Sequence, residues 1–171
     1  KFKYFKKVTK VLNQIQSIKT RNIKNFKGQN YTIPNYNSKI LTKETGLFCE
    51  WYARKKLPKK KIVSFTKKFR KITKNLILNL KLKNDIFVHR DFHVSNLMLV
   101  KNQIGVIDSQ DALIGNKAYD LASLVDDVRF KTSKQFKNKI YKFYINKQIK
   151  LDKIKFKNDF EILSILRNLK I

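Results

Sequence analysis

Residues 84–108 read Asn84-Asp-Ile-Phe-Val88-His-Arg-Asp91-Phe-His-Val-Ser-Asn96-Leu-Met-Leu-Val100-Lys-Asn-Gln-Ile-Gly-Val-Ile-Asp108. Three short apolar runs, 86–88, 97–100 and 104–107, are bounded by polar and turn-forming residues, the pattern of brief β-strands. Asp91 lies just past the first strand, Asn96 returns the chain to the second after a four-residue loop, and Asp108 ends the third. A tight turn at 101–103 folds the last two strands into a hairpin. Such a hairpin can bring the tips of Asp91, Asn96 and Asp108 to one edge. Carboxylate and carboxamide oxygens are hard donors, suited to a Mg²⁺ ion that keeps several waters and binds phosphate oxygens. The remaining carboxylate, Asp91, is free to accept a proton from an attacking hydroxyl.

The surroundings of this stretch are as unusual as its contents. The chain carries 40 Lys+Arg against 12 Asp+Glu, a formal charge of +28. Seven of those acids nevertheless fall in 85–127 (Asp85, Asp91, Asp108, Asp111, Asp120, Asp126 and Asp127), with only Arg90, Lys101 and Lys117 as basic company. Both histidines, His89 and His93, sit there too. Carboxylates gathered where lysine otherwise dominates point to a site that needs negative charge, most simply to hold a divalent cation. Residues 85–127 are therefore expected to form the catalytic and metal-binding core. A base, an Asn ligand and an Asp ligand in this order are the working parts of kinase-type phosphoryl transfer.

On either side the chain reads as helices. Phe5, Val8, Val11, Leu12, Ile15 and Ile18 recur at helical spacing over 3–19. Residues 20–37 dissolve into Lys, Asn, Gly28 and Pro34, an expected loop. A second helix is expected over 38–56, burying Leu41, Leu47, Phe48, Trp51 and Tyr52. Pro58 closes it, and a third follows with Ile62, Phe65, Phe69, Ile72, Leu76 and Leu80 facing inward. Helical patterns resume over 119–128, 133–148 and 157–171. The expected fold class is α+β, mainly helical, with a small hairpin carrying the acids. Asp126 and Asp127 are expected to end a surface helix without a chemical role.

At 171 residues, 42% hydrophobic and 12% aromatic, the chain suits one globular domain with a real core. The sole cysteine, Cys49, excludes an internal disulfide and fits a reducing compartment. No secretory leader and no apolar run of about 18 residues is present, so the expected location is the cytoplasm, with no membrane partner. Of the basic residues 34 are lysine, and asparagine and isoleucine are also abundant, the composition of A/T-rich codons. A nucleic-acid reader would use more arginine, whose planar fork suits phosphates and base edges, so a nucleic-acid partner is not expected. The chain opens at Lys1 and stops at Ile171 inside apolar-periodic patterns, and both ends read as cut from a longer protein.

The motifs also carry a resemblance. His89-x-Asp91-x-x-x-x-Asn96 followed by Asp108 at a strand end resembles the catalytic loop and metal-binding segment of the protein-kinase-like superfamily. His93 two residues after the base, and Ile107-Asp108-Ser-Gln-Asp111-Ala in place of Asp-Phe-Gly, look like the aminoglycoside phosphotransferase and choline kinase family. The strings 89–98, 105–112 and 115–124 (the last Gly-Asn-Lys-Ala-Tyr-Asp-Leu-Ala-Ser-Leu) are closer still to its bacterial branch of N-acetylmuramate and N-acetylglucosamine anomeric kinases. The resemblance is strong over about 86–127 and weaker over 44–52 and the last helix.

Carried over by residue, the resemblance implies Asp91 as the base orienting the acceptor hydroxyl. It implies Asn96 and Asp108 as the Mg²⁺ ligands that present ATP, the co-substrate, through its phosphates. His89 would brace the loop by hydrogen bonds, Asp120 would anchor the loop from a helix start, and Arg90 would pair with a neighbouring acid. His93 and Asp111 would either face the acceptor or support the loop. The chain departs from the family in having four scattered glycines and no phosphate-covering loop, no strand lysine and no partner glutamate. Ser109 also stands where a bulky aromatic is common. Residues 1–171 are thus expected to be the C-terminal, acceptor-binding lobe of a kinase-like fold, inactive without an N-terminal ATP lobe. The expected reaction is phosphorylation of a small-molecule hydroxyl, foremost a cell-wall amino sugar. An aminoglycoside or choline-type kinase, a metal-dependent phosphohydrolase and a non-catalytic polyanion-binding module are the rivals.

Overall fold

In the computed structural model, which describes residues 1–170, the first helix, α1 (Phe2–Gln16), turns Phe5, Val8 and Leu12 into the core. It packs on α6 (Lys134–Asn146) and on β3 (Asn84–Val88). The centre of the molecule is α5 (Tyr119–Val125), every residue of which is buried. α5 is held between α6 and α7 (Lys153–Asn168), and its two polar side chains, Asp120 and Ser123, are buried with hydrogen-bond partners. The side chain of Asp152 starts α7 by accepting from the backbone N–H of Ile154 and Lys155. The fold is α+β and mainly helical.

Two small antiparallel sheets carry the acidic segment. β4 (Leu97–Val100) and β5 (Gln103–Val106) pair as the expected hairpin, with Leu97 opposite Val106 and Val100 opposite Gln103. Its two-residue loop, Lys101-Asn102, has positive φ at both positions, the turn whose twist suits a hairpin. β3 pairs instead with β6 (Leu113–Asn116), placing Val88 opposite Leu113 and Ile86 opposite Gly115. The chain thus leaves β3, makes the catalytic loop and the β4–β5 hairpin, and returns beside its starting point.

Several expectations fail for physical reasons. The supposed loop 20–37 contains a hairpin of β1 (Asn22–Lys24) and β2 (Asn30–Thr32) turning at Gly28, whose φ is +74°. Each strand has only three residues, all exposed, so its polar–apolar–polar order is too short to mark a strand. β6 escapes the sequence reading as well, because four residues that include a glycine carry no strand period. The second helix is three consecutive pieces: α2 (Ser38–Leu47), a π-helical turn (Phe48–Ala53) and α3 (Arg54–Lys56). The wider π-turn shifts the helical phase, so Cys49 and Ala53 face inward while Trp51 and Tyr52 stand exposed, contrary to expectation. In α4 (Lys59–Leu78) the buried positions are Thr73 and Ile77, and Ile72 faces solvent. The helix expected over 119–128 ends at Val125. The last helix, expected from 157, begins earlier, at Lys153 beside its Asp152 cap. Its expected final residue, Ile171, lies outside the described residues.

Candidate active site

The catalytic loop hangs from one buried carboxylate. Asp120, at the first turn of α5 and wholly enclosed, accepts the backbone N–H of His89 on Oδ2 at 2.8 Å and that of Arg90 on Oδ1 at 3.0 Å. Arg90 there has a φ of 77°, a conformation that costs energy for a non-glycine residue. The two bonds from Asp120 hold the chain in it. Burial pushes the Asp120 carboxyl up to about 7, with nearby Asp91 adding to the effect and the two N–H donors opposing it.

Arg90 finds its acid across the core. Its Nε donates to Glu44 of α2 at 2.9 Å, its Nη2 joins the same carboxylate oxygen, and Nη1 lies 3.7 Å from Asp111. Glu44 also accepts the Tyr36 hydroxyl, so α2, the 33–36 segment and the loop are tied through one carboxylate. Asp111 sits largely exposed on the far side of Arg90, and its one ion pair is with that guanidinium. His89 does not brace the loop by hydrogen bonds as expected. Its ring is buried edge-on to Phe92, centroids 5.9 Å apart, and neither ring nitrogen has a hydrogen-bond partner. Burial depresses its pKa, against the opposing pull of the Asp91 and Asp108 carboxylates. The ring fills space against Phe92 of the loop.

The Asn96 amide links the backbone of Asp91 to the carboxylate of Asp108, but the Asp91 side chain does not join the other two tips as expected, because it pairs with Lys170. Nδ2 of Asn96, in a 3₁₀ turn (Val94–Asn96), donates to the backbone carbonyl of Asp91 at 3.0 Å and reaches Oδ2 of Asp108 at 3.3 Å. The Ile107 N–H returns a bond to the Asn96 carbonyl at 3.1 Å, closing the hairpin at its root. Asp108 follows β5 with a φ of 69°, which swings its carboxylate out of the strand direction. The side-chain amide of Gln110 donates to its Oδ1. Among the described residues no three His, Cys, Asp or Glu side chains converge as a metal cage. Asn96 and Asp108 offer a few oxygen donors only, which suits a hard cation that keeps water and completes its shell on phosphate oxygens.

The Asp91 carboxylate points away from that pair. Its Oδ1 accepts Nζ of Lys170 at 3.0 Å, and it lines a small cleft of about 120 Å³ with Arg129, Arg167 and Lys170. Burial alone would raise its pKa, but Lys170, Arg90 and His93 outweigh burial and hold it below the usual carboxylate range. His93 is buried on this side, with Nδ1 unpartnered. Its pKa is lowered by burial and by Arg129 and Arg167, against Asp127 and Asp91. Asp127 is not the surface residue expected. It is buried, takes Nε and Nη2 of Arg129 at 2.9 and 3.0 Å, and lies 3.7 Å from Nη2 of Arg167. Asp126 pairs with Lys137.

Sequence reasoning missed Glu44, Asp127, Arg129, Arg167 and Lys170 as parts of this site. Basic residues near the chain end look like the surrounding lysine background, and no spacing relates them to Asp91. It also missed Asp159, fully buried on α7, which accepts the N–H groups of Lys81 and Leu82, both at 2.8 Å, and the Asn116 amide. Asp159 fixes the entry to β3 and the exit from β6 at once.

Residues 4–149 match the phosphotransferase enzyme family. The chain is 35% identical over 104 residues to an N-acetylmuramate/N-acetylglucosamine kinase of Neisseria meningitidis, a stretch covering 61% of this chain and 31% of that protein. A protein of the same name from Pseudomonas aeruginosa is 34% identical over 95 residues, covering 56% of this chain and 28% of the relative. The one from Caulobacter vibrioides is 23% identical over 166 residues, covering 92% of this chain and 44% of its own length. The chain spans less than half the length of these curated relatives.

Proposed function

Because the chain belongs to the phosphotransferase enzyme family, we propose that it forms the catalytic and acceptor-binding lobe of an ATP- and Mg²⁺-dependent kinase for a small amino sugar. The observation that carries this reading is the Asn96 carboxamide, which joins the backbone of the candidate base, Asp91, to the carboxylate of the candidate metal ligand, Asp108. Asn96 and Asp108 would hold Mg²⁺, which would supply positive charge to offset that of the ATP phosphates. Asp91 orients the acceptor hydroxyl and takes its proton. Lys170 occupies Oδ1, leaving Oδ2 for that hydroxyl. A depressed pKa makes Asp91 a weak base that stays ionised, which suits a loose transition state needing alignment more than basicity. Asp120 and the Glu44–Arg90 pair position the loop and do not touch substrate.

The half-exposed apolar side chains of Met98, Leu99, Val100 and Ile107 along the β4–β5 hairpin are the surface on which an N-terminal, nucleotide-covering lobe would rest. Kinase-type sites need such a lobe for the phosphate-binding loop and lysine. The names of the relatives favour an N-acetyl sugar as acceptor. No helix among the described residues is long and apolar enough to cross a membrane. The one cysteine is free and buried, which suits the reducing cytoplasm in which such an enzyme would work.

The test is ADP formation by the full-length gene product with Mg²⁺-ATP and N-acetylmuramate, N-acetylglucosamine, an aminoglycoside or choline. Acceptor-dependent turnover is expected with an N-acetyl sugar. It should fall by at least about 10²-fold in Asp91→Asn, the scale of lost general-base catalysis, with unfolding behaviour retained because the Asp91–Lys170 pair is partly solvated. Turnover that survives Asp91→Asn would remove Asp91 from the chemistry. A folded protein with no turnover and no ATP binding would end the kinase reading.

A further inference from the structure

We propose that Lys170 is a catalytic residue, whose ammonium meets the oxygens of the phosphoryl group as it passes to the hydroxyl held on Asp91. The proposal rests on the kinase reading above and adds to it a cation supplied from the end of α7. Lys170 Nζ lies 3.0 Å from Asp91 Oδ1, and that is the one hydrogen bond the ammonium makes among the described residues. An ammonium carries further N–H donors, and these stay open to a ligand. The pair faces the cleft, with 25% of the Lys170 side chain and 26% of that of Asp91 exposed. A partly solvated pair adds little to stability, so stability is a weak reason for a lysine at this place.

The other cations near Asp91 have partners of their own. Arg90, the one permanent cation between His89 and Asn96, is engaged by Glu44. Arg129 donates Nε and Nη2 to Asp127. Arg167 donates Nε to Ser123 Oγ at 2.6 Å, and its Nη2 lies 3.7 Å from Asp127. The bonds of Arg167 also fix where Lys170 stands, because they tie α7 to α5. Asn168 Nδ2 donates to the Asp126 carbonyl at 3.0 Å, and the Lys170 backbone N–H closes the helix end on the Arg167 carbonyl at 3.0 Å. The ammonium thus rides on a pinned helix end, with only its flexible stem to adjust.

In the transfer the acceptor oxygen forms a bond to the terminal phosphorus of ATP, and its proton goes to Asp91 Oδ2. The bond from that phosphorus to the bridging oxygen breaks, and ADP leaves with the electron pair. Lys170 keeps its proton throughout. A hydroxyl on Oδ2 stands one carboxylate width from the oxygen that Lys170 holds, so the arriving phosphoryl group comes within reach of the lysine stem. Its negative oxygens then crowd the Asp91 carboxylate. A cation already in place there offsets that charge without reorganisation.

The experiment uses the full-length protein with Mg²⁺-ATP and whichever acceptor of the panel above it turns over. Lys170→Met should lower kcat at least about 10²-fold, the scale of a lost transition-state donor, with KM for either substrate within about threefold of wild type. Lys170→Arg, which keeps the charge, should recover at least about tenfold of that loss. Calorimetric titration gives a readout apart from turnover. ADP with Mg²⁺ and aluminium fluoride, a mimic of the phosphoryl group in transfer, should bind Lys170→Met at least about tenfold more weakly than wild type. ADP alone, the control for folding, should bind both alike. The same difference must appear in an Asp91→Ala background, where no carboxylate remains for Lys170 to hold. An unchanged kcat in Lys170→Met, or a fluoride-complex affinity that ceases to depend on Lys170 once Asp91 is replaced, would overturn the proposal. Lys170 would then do no more than orient Asp91, and the kinase reading would stand. A wild-type protein that binds no ATP overturns both.

Discussion

Asp120 holds the loop with both of its oxygens, and an amide cannot do the same. In Asp120→Asn one face becomes an NH₂ group opposed to a buried backbone N–H, leaving an unsatisfied donor worth about 1–3 kcal/mol. Its titration adds a signed pH effect. The folded pKa lies above the unfolded one, so the native state binds the proton more tightly. The resulting stability is complete below roughly pH 4, the unfolded value, and is lost as pH rises through about 7. Urea unfolding at about pH 5 and about pH 8 should show wild type losing more stability over that interval than Asp120→Asn, which lacks the titrating group. A parallel fall in both proteins would mean that another group sets the slope. At this scale the sequence was informative for Asp91, Asn96, Asp108 and Asp120, because their neighbours along the chain declare them. It put Asp127 on a surface helix without a role and was silent on Arg129 and Arg167, because the burial of Asp127 depends on Arg167 of the distant α7.

At the level of elements, the β3–β6 pair decides where the loop starts. Gly115 of β6 lies opposite Ile86, and a Cβ built there would stand 3.0 Å from Tyr36 Cβ and 3.1 Å from Val88 Cγ2. Both neighbours are buried and cannot swing aside. Gly115→Ala should therefore cost about 1–3 kcal/mol by overpacking, read from the denaturant midpoint. Because Tyr36 donates to Glu44, which holds Arg90, the same strain should reach the loop and lower turnover. An unchanged midpoint would show that the sheet opens freely at this point. The long amphipathic helices were readable, since burial repeats every three or four residues. β1, β2, β6 and the π-turn were not: short exposed strands have no period, and a π-turn changes the period in mid-helix.

For the molecule as a whole, the excess of lysine is dispersed over solvent-facing positions of every long helix, while Arg167 is buried beside Asp127. A dispersed charge of this kind attracts polyanions weakly and without sequence preference. Duplex DNA binding, followed by fluorescence anisotropy at moderate salt, should be no tighter than about micromolar and should fall steeply as salt rises. Tight, sequence-dependent binding would contradict the reading of these lysines as a solvated background.

The order of residues along the chain was enough for the fold class, the catalytic loop and the candidate base and metal ligands. Those depend on local periodicity and on residues within about twenty positions of one another, the length of a strand, a loop and a hairpin. The pairing of β3 with β6, the grip of Glu44 on Arg90, and the cationic cleft facing Asp91 came only with the folded chain. Each of those joins elements far apart in the sequence, and charge, burial and hydrogen-bond partners at such separations exist only once the core has closed around them.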